Sequence, residues 1–264
     1  MRTLTESLKE YIVVGIEESE LNIEDSDYNK IKNYLNSNYT GSFRISAKPN
    51  RKGLYTVSSN NHVSCKNTGI TSLTNGLFEF LSIKGCFSCN HCTALTSLEG
   101  APKNVYGNFM CIDCTSLKSL EGAPKVVDGS FDCWGCTSLE NLKGAPKKVE
   151  YDFNCSGCTS LKSLEGAPDN VGGNFNCSKC ESIKTLKGAP KLVFGGFFCS
   201  KCTSLESLEG APQRISKCLD CTGCTSLKSL KGIDWVGDHL NCSGCDKIAD
   251  ISGIQDCVGG EIYR

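Results

Sequence analysis

Residues 171–190 read VGGNFNCSKCESIKTLKGAP, and their pattern of apolar positions recurs along most of the chain. The repeat is VxxxFxCxxCxxLxxLxGAPxx, with a period of 22 residues. CxxC pairs begin at that interval from Cys89 to Cys221, and a last pair, Cys242 and Cys245, comes one residue early. The GAP segment keeps the same interval, beginning at Gly100, Gly122, Gly144, Gly166, Gly188 and Gly210. A period of this length is typical of a solenoid, in which neighbouring coils bury each other's apolar side.

Phe175 and Cys177 are two residues apart, a spacing that places both side chains on one face of a β-strand. We therefore predict one short strand, FxC, in each coil, and a parallel sheet formed by stacking the coils. Leu219 and Leu240 replace Phe in the last two repeats. Pro190 lacks an amide proton, so the GAP segment is predicted to be a turn outside the sheet.

The order Cys180-Glu-Ser-Ile183-Lys-Thr-Leu186, followed by Pro190 and Val193, resembles a known repeat. It is similar to leucine-rich-repeat proteins of the BspA-like (Treponema-type) class, whose repeat is roughly AFxxCxxLxxIxIPxxVxxIG. The resemblance covers residues 61–264 and implies a leucine-rich-repeat-like stack of short parallel strands with little helix, in about nine coils. The chain departs from that class in having a Cys where Phe is common and a repeat shorter by about one residue. GAP-containing repeats also resemble proteins of gut bacteria and their phages.

Residues 1–60 do not follow the period. Their patterns predict helices over residues 4–16 and 27–35 and strands over 42–47 and 54–58. We interpret this segment as a small α+β N-terminal cap, because the exposed end of a solenoid needs a polar cover. An independent partner-binding or targeting element is the alternative.

The charge balance, Lys+Arg 28 against Asp+Glu 29, lacks the basic excess of proteins that coat nucleic acid or anionic membranes. The apolar run at residues 11–16 is too short for a signal sequence or a membrane span. We therefore expect a cytoplasmic protein that binds neither nucleic acid nor membrane. In a reducing compartment its 20 cysteines should be thiols unless they hold a metal.

Three interpretations of the CxxC pairs remain open. In the structural one, the first Cys faces the core and the second occupies the position where leucine-rich repeats use Asn or Cys to satisfy backbone groups. Asn67, at the second-Cys position of the preceding coil, favours this interpretation. Alternatively, pairs from adjacent coils form four-cysteine zinc or iron sites, or the thiols form disulfides.

Other catalytic or cofactor chemistry has little support, and we predict no enzyme activity and no cofactor. The chain has only three His, and Cys92 beside His91 is expected by chance in so cysteine-rich a sequence. Cys86 and Cys218 extend two pairs to the CxxCxxC spacing of iron–sulfur ligands. Strand alternation turns them outward, away from the neighbouring pair, so they are the candidate reactive thiols.

The coils differ from one another mainly on the outward face of the FxC strand. Large apolar groups there, with nearby Asp and Asn, are typical of interaction hot spots, although scattered surface residues are the alternative. We therefore predict a non-enzymatic module that binds a protein partner. A metal-binding (zinc or iron) protein using stacked CxxC pairs is the alternative function. The candidate partner-binding residues are Met110, Ile112, Asp132, Trp134, Asp152, Asn154, Asn176, Phe198, Asp220 and His239.

Overall fold

A computed structural model describes residues 11–13, 26–65, 68–249, 251 and 254–264. It is a β-solenoid of stacked coils, which confirms the predicted fold class. The described residues contain one α-helix, α1 (Ser26–Asn38), which lies near the N-terminus. None of the described helices is long and apolar enough to cross a membrane.

Each regular coil contributes two short strands, whereas the sequence predicted one. The additional strand ends at the Val position of the repeat, and these strands form what we call the Val sheet. It begins with antiparallel pairs and becomes parallel where its third and fourth strands meet. Its strands, in spatial order, are β1 (Tyr11–Val13), β3 (Arg44–Ser46), β4 (Tyr55–Ser59), β6 (Phe78–Ile83), β8 (Asn104–Val105), β10 (Val126–Val127), β12 (Lys148–Val149), β14 (Asn170–Val171), β16 (Leu192–Val193) and β18 (Arg214–Ile215).

The predicted FxC strands form a second sheet, the Phe sheet. Its first pair is antiparallel and all its other pairs are parallel and in register. A short 3-10 helix, Gln255–Cys257, precedes its last strand. The strands, in spatial order, are β2 (Tyr39–Thr40), β5 (Val63–Cys65), β7 (Phe87–Ser88), β9 (Phe109–Met110), β11 (Phe131–Asp132), β13 (Phe153–Asn154), β15 (Phe175–Asn176), β17 (Phe197–Phe198), β19 (Leu219–Asp220), β20 (Leu240–Asn241) and β21 (Ile262–Tyr263).

A ladder of phenylalanine rings runs through the core. The six rings from Phe87 to Phe197 are fully buried, and neighbouring centroids lie between 5.1 and 5.7 Å apart. The rings of Phe153 and Phe175 are inclined by only 5°, so they stack face to face. Parallel in-register pairing imposes this arrangement, because it places identical side chains directly above one another.

The N-terminal segment agrees in part with its prediction. Helix α1 covers the predicted helix at 27–35, and β3 and β4 lie within or overlap the predicted strands at 42–47 and 54–58. The helix predicted at 4–16 is wrong for Tyr11–Val13, which form an antiparallel strand on β3. The rest of that prediction lies outside the described residues. β4 pairs in parallel with β6, so the Val sheet continues across the boundary predicted at residue 60.

Candidate functional site

Six of the predicted partner-binding residues form one row on the outer face of the Phe sheet. Each follows the Phe-position residue of its coil, and β9 to β19 align them in register. All six are half-buried. This outer row consists of Met110, Asp132, Asn154, Asn176, Phe198 and Asp220.

Met110, Ile112 and Trp134 lie together on two adjoining coils. Met110 pairs with Asp132, two residues before Trp134, and the amide of Asp113, next to Ile112, donates to the carbonyl of Trp134 (2.8 Å). The Trp134 side chain is 43% exposed. These three side chains form the apolar cluster of the outer face. Phe198 lies three coils beyond Trp134, roughly 14 Å away at the usual strand spacing, so it is outside this cluster.

The Asp and Asn residues of the outer row close the turn between the two cysteines of their own coil. Asp132 Oδ1 accepts the amide of Trp134 (2.9 Å), and Asn176 Oδ1 accepts the amide of Ser178 (2.9 Å). Asn154 and Asp220 accept equivalent bonds. Partial burial raises the pKa of the Asp132 carboxyl, and the hydrogen bond from Trp134 opposes that shift. The Asp132 side chain therefore positions the backbone that carries Trp134.

Asp152 belongs to a second row, which precedes the Phe position and joins adjacent coils. Its Oδ1 accepts the amide of Asn174 (2.7 Å), and the Asn174 side chain in turn accepts the amide of Gly196 (2.8 Å). His239, at the same position near the C-terminal end, packs its ring edge-on to Tyr263 at 5.6 Å. Asp152 thus has an architectural role at the predicted binding face.

Both cysteines of the regular pairs are buried, and the second one donates a hydrogen bond to the preceding coil. Cys180 Sγ lies 3.2 Å from the carbonyl oxygen of Cys155, and Cys202 Sγ lies 3.2 Å from that of Cys177. Burial raises the pKa of the Cys155 thiol, and its contact with the Cys180 thiol adds to the shift. This is the geometry of the structural interpretation. Asn67, which favoured the same interpretation, lies outside the described residues.

The cysteines are free thiols. In the part of the chain that the structure describes, no group of three or more His, Cys, Asp or Glu side chains is arranged to hold a metal ion. Cys86 and Cys218 are half-buried, whereas their CxxC neighbours Cys89 and Cys221 are buried in the core. The two CxxCxxC triples therefore do not converge.

The sequence interpretation missed the most exposed aromatic residues. Tyr151, Phe194 and Tyr106 are 63%, 57% and 49% exposed, more than Trp134. They follow the Val strands, at the corner where each coil turns towards the Phe sheet. The sequence does contain a signal for this surface, namely variation between coils. The position after the Val residue is Asp128 in one coil and Gly172 in another.

No protein-family model matches this chain, and comparisons with curated proteins and with solved structures found no match either.

Proposed function

We propose that this chain is a non-enzymatic, cytoplasmic interaction module that binds a protein partner through the outer face of the Phe sheet. We also propose that its coils are leucine-rich repeats of the BspA-like class. The main support for a binding role is the exposure of Trp134, a large side chain that lies beside Met110 and Ile112. Tryptophan is the residue type most enriched among interface hot spots, and neighbouring apolar groups exclude water around it.

The shape of the face supports a protein as the ligand. Nine in-register strands, β7 to β21, place the outer row on an extended, shallow surface. Small molecules bind in enclosed concave pockets, whereas extended solenoid faces suit macromolecules. The Asx hydrogen bond from the Trp134 amide to Asp132 preorganises the backbone, which lowers the entropy lost on binding.

The test is affinity capture with Trp134→Ala, followed by identification of the retained protein. We expect retention of the partner to fall about tenfold or more, because truncating a central hot spot costs over 1.4 kcal/mol. Trp235→Ala is the matched control, since Trp235 is also exposed (39%) but lies beside the Val sheet. Equal retention by both variants and the unaltered chain would move the site elsewhere.

Elemental analysis of protein purified without reductant addresses the metal-binding alternative. The proposal expects no stoichiometric metal, because the thiols of the second cysteines are used as donors to backbone carbonyls. Zinc or iron near one ion per two coils would replace the interaction proposal with the metal-binding one.

A further inference from the structure

Three exposed aromatic residues form a ridge along the corner between the two sheets. Tyr106 directly follows β8, Phe194 directly follows β16, and Tyr151 lies two residues after the end of β12. All three project into solvent, with exposed fractions of 49%, 57% and 63%. We call Tyr106, Tyr151 and Phe194 the aromatic ridge. Three aromatic residues exposed along one corner are a candidate binding surface, because large apolar groups gain most by being covered.

The ridge residues occur on every second coil. In the Val sheet, β10 separates β8 from β12, and β14 separates β12 from β16. Strands in a sheet are about 4.8 Å apart, so successive ridge residues are separated by roughly 9.6 Å measured along the solenoid axis. Tyr151 lies one residue further around its coil than Tyr106 and Phe194 do around theirs.

The coil between Tyr151 and Phe194 leaves the space between them open. It carries Gly172 and Gly173 at the corner, and a Cβ atom on Gly172 would overlap the carbonyl oxygen of Glu150. No side chain fits there while the coils stack as they do. The amides of both glycines already donate to the preceding coil, at 2.9 Å each. A ligand that lies over Gly172 and Gly173 would therefore be held chiefly by the rings of Tyr151 and Phe194 on the two flanking coils.

We propose that the aromatic ridge binds a proline-rich peptide in the polyproline II conformation. This helix has three residues per turn and rises 3.1 Å per residue, so its side chains repeat every ~9.3 Å. That repeat matches the ~9.6 Å spacing of the ridge residues. Prolines at every third position would each contact one ring. The proposal goes beyond the proposed function, because the ridge lies at the corner between the two sheets and the proposed partner site lies on the outer face of the Phe sheet.

Backbone chemistry agrees with this ligand. A polyproline II helix makes no internal hydrogen bonds, so its carbonyl groups are free to accept. Tyr106 and Tyr151 each carry a hydroxyl that can donate to such a carbonyl. Aromatic grooves with hydroxyl donors are a general way to recognise proline-rich segments.

Charge adds a requirement on the peptide. Asp128 is exposed at the corner of the preceding coil, and Glu150 and Asp152 are exposed on either side of Tyr151 in its own coil. Glu150 has an exposed lysine, Lys148, as an ion-pair partner. The other two carboxylates favour a cationic ligand, so we expect the peptide to carry a basic residue beside its prolines.

Fluorescence anisotropy with a labelled synthetic peptide tests this. The peptide has about twelve residues, four polyproline II turns, with proline at every third position and one arginine. Saturable binding to the full chain is expected, and Tyr151→Ala and Phe194→Ala should each weaken it about tenfold. Trp235→Ala should leave affinity unchanged, because Trp235 does not belong to the ridge. Circular dichroism melting curves of the variants should match that of the unaltered chain.

The spacing is tested by a second peptide with proline at every fourth position. Equal affinity for the two peptides would overturn the proposal, and so would Tyr151→Ala binding as well as Trp235→Ala. Binding of a glucan oligosaccharide in place of the peptide would also overturn it, since exposed tyrosines can stack on sugar rings. The two proposals can fail separately. If partner capture depends on Trp134 but no proline-rich peptide binds, the ridge proposal is rejected and the proposed function is retained.

Discussion

The thiol of Cys180 lies 3.2 Å from the carbonyl oxygen of Cys155 in the preceding coil. Neither residue has measurable exposure, so water cannot replace the bond if the thiol is lost. A buried carbonyl without a donor costs more free energy than the bond itself contributes. At the scale of one residue, the second cysteine of each pair therefore acts as a backbone donor between coils.

Cys180→Ala should lower the free energy of unfolding by about 1–3 kcal/mol, because it leaves the Cys155 carbonyl unsatisfied. Cys177→Ala in the same coil is the matched control. It removes an equally buried sulfur that is not the donor of that bond. Urea denaturation of the two variants measures the difference. Equal losses would mean that only sulfur packing contributes.

Alkylation measures which thiols are accessible. Cys86, Cys218 and Cys257 are half-buried, and the other cysteines are buried. Iodoacetamide should therefore modify these three first in the folded protein and all 20 after denaturation, as counted by mass spectrometry of peptides. Rapid labelling of Cys133 in the folded protein would show that the coils open readily.

At the scale of an element, the glycine of each GAP segment allows both a tight turn and close stacking on the preceding coil. The amide of Ala167 donates to the carbonyl of Leu164 (3.0 Å), and Gly166 adopts a φ of +95° between them. A Cβ at Gly166 would also lie 2.5 Å from the backbone of Leu142 in the preceding coil. Both the turn and the stacking distance thus require glycine.

Gly166→Ala should destabilise the protein by more than the ~1–2 kcal/mol that a positive φ alone costs an L-residue. Gly53→Ala separates the two causes, because Gly53 has a φ of +75° and no atom within 4 Å of a Cβ placed on it. Thermal unfolding of both variants should show a larger loss of stability for Gly166→Ala than for Gly53→Ala. A larger loss for Gly53→Ala would contradict the steric explanation.

The Phe strands could be predicted because Phe175 and Cys177 alternate at the strand period. The two-residue Val strands of the regular coils, β8 to β18, could not, since only one residue in each, such as Val171, is both apolar and buried. One buried apolar residue cannot show the two-residue alternation that predicts a strand. Pairing between coils creates these strands, as the register of Val171 with Val149 and Val193 shows.

Two further differences arose from tertiary context. Tyr11–Val13 form a strand because β3 offers them an edge, a partner more than thirty residues away that local pattern does not reveal. The aromatic ridge was missed because we sought variation only around FxC. Tyr106 and Tyr151 are 45 residues apart, one more than two repeats, so they occupy different positions of the repeat and do not form a column in the sequence.

At the scale of the whole molecule, the buried thiols make stability depend on pH. Burial raises the pKa of Cys155 and Cys177 well above the ordinary value, and contacts with the Cys180 and Cys202 thiols add to it. Their protons are kept on folding, whereas an unfolded thiol loses its proton near pH 8.5. The unfolded state then binds fewer protons, so the contribution of these two thiols to stability is constant below that pH and falls above it.

The free energy of unfolding should therefore decrease between about pH 8.5 and 9.5, by ~1 kcal/mol for each thiol that stays protonated. Chemical denaturation across pH 7–9.5 measures the slope. Cys177→Ala should have a slope shallower by about one proton. A free energy that stays constant over this range would show that the thiols ionise without unfolding.

Because the ridge residues are two coils apart, ligand recognition by the aromatic ridge depends on the number of coils between them. Every coil contacts its neighbours in the same way, so losing one coil between Tyr106 and Tyr151 leaves a foldable protein. That loss, however, would place the two tyrosines on consecutive coils. Gaining two coils there would widen the interval to four coils, two turns of a polyproline II helix, and keep every ring at a whole number of turns. Coils lost or gained outside the ridge would leave its spacing unchanged. Folding thus tolerates variation in steps of one coil anywhere, whereas recognition tolerates insertions within the ridge only in steps of two.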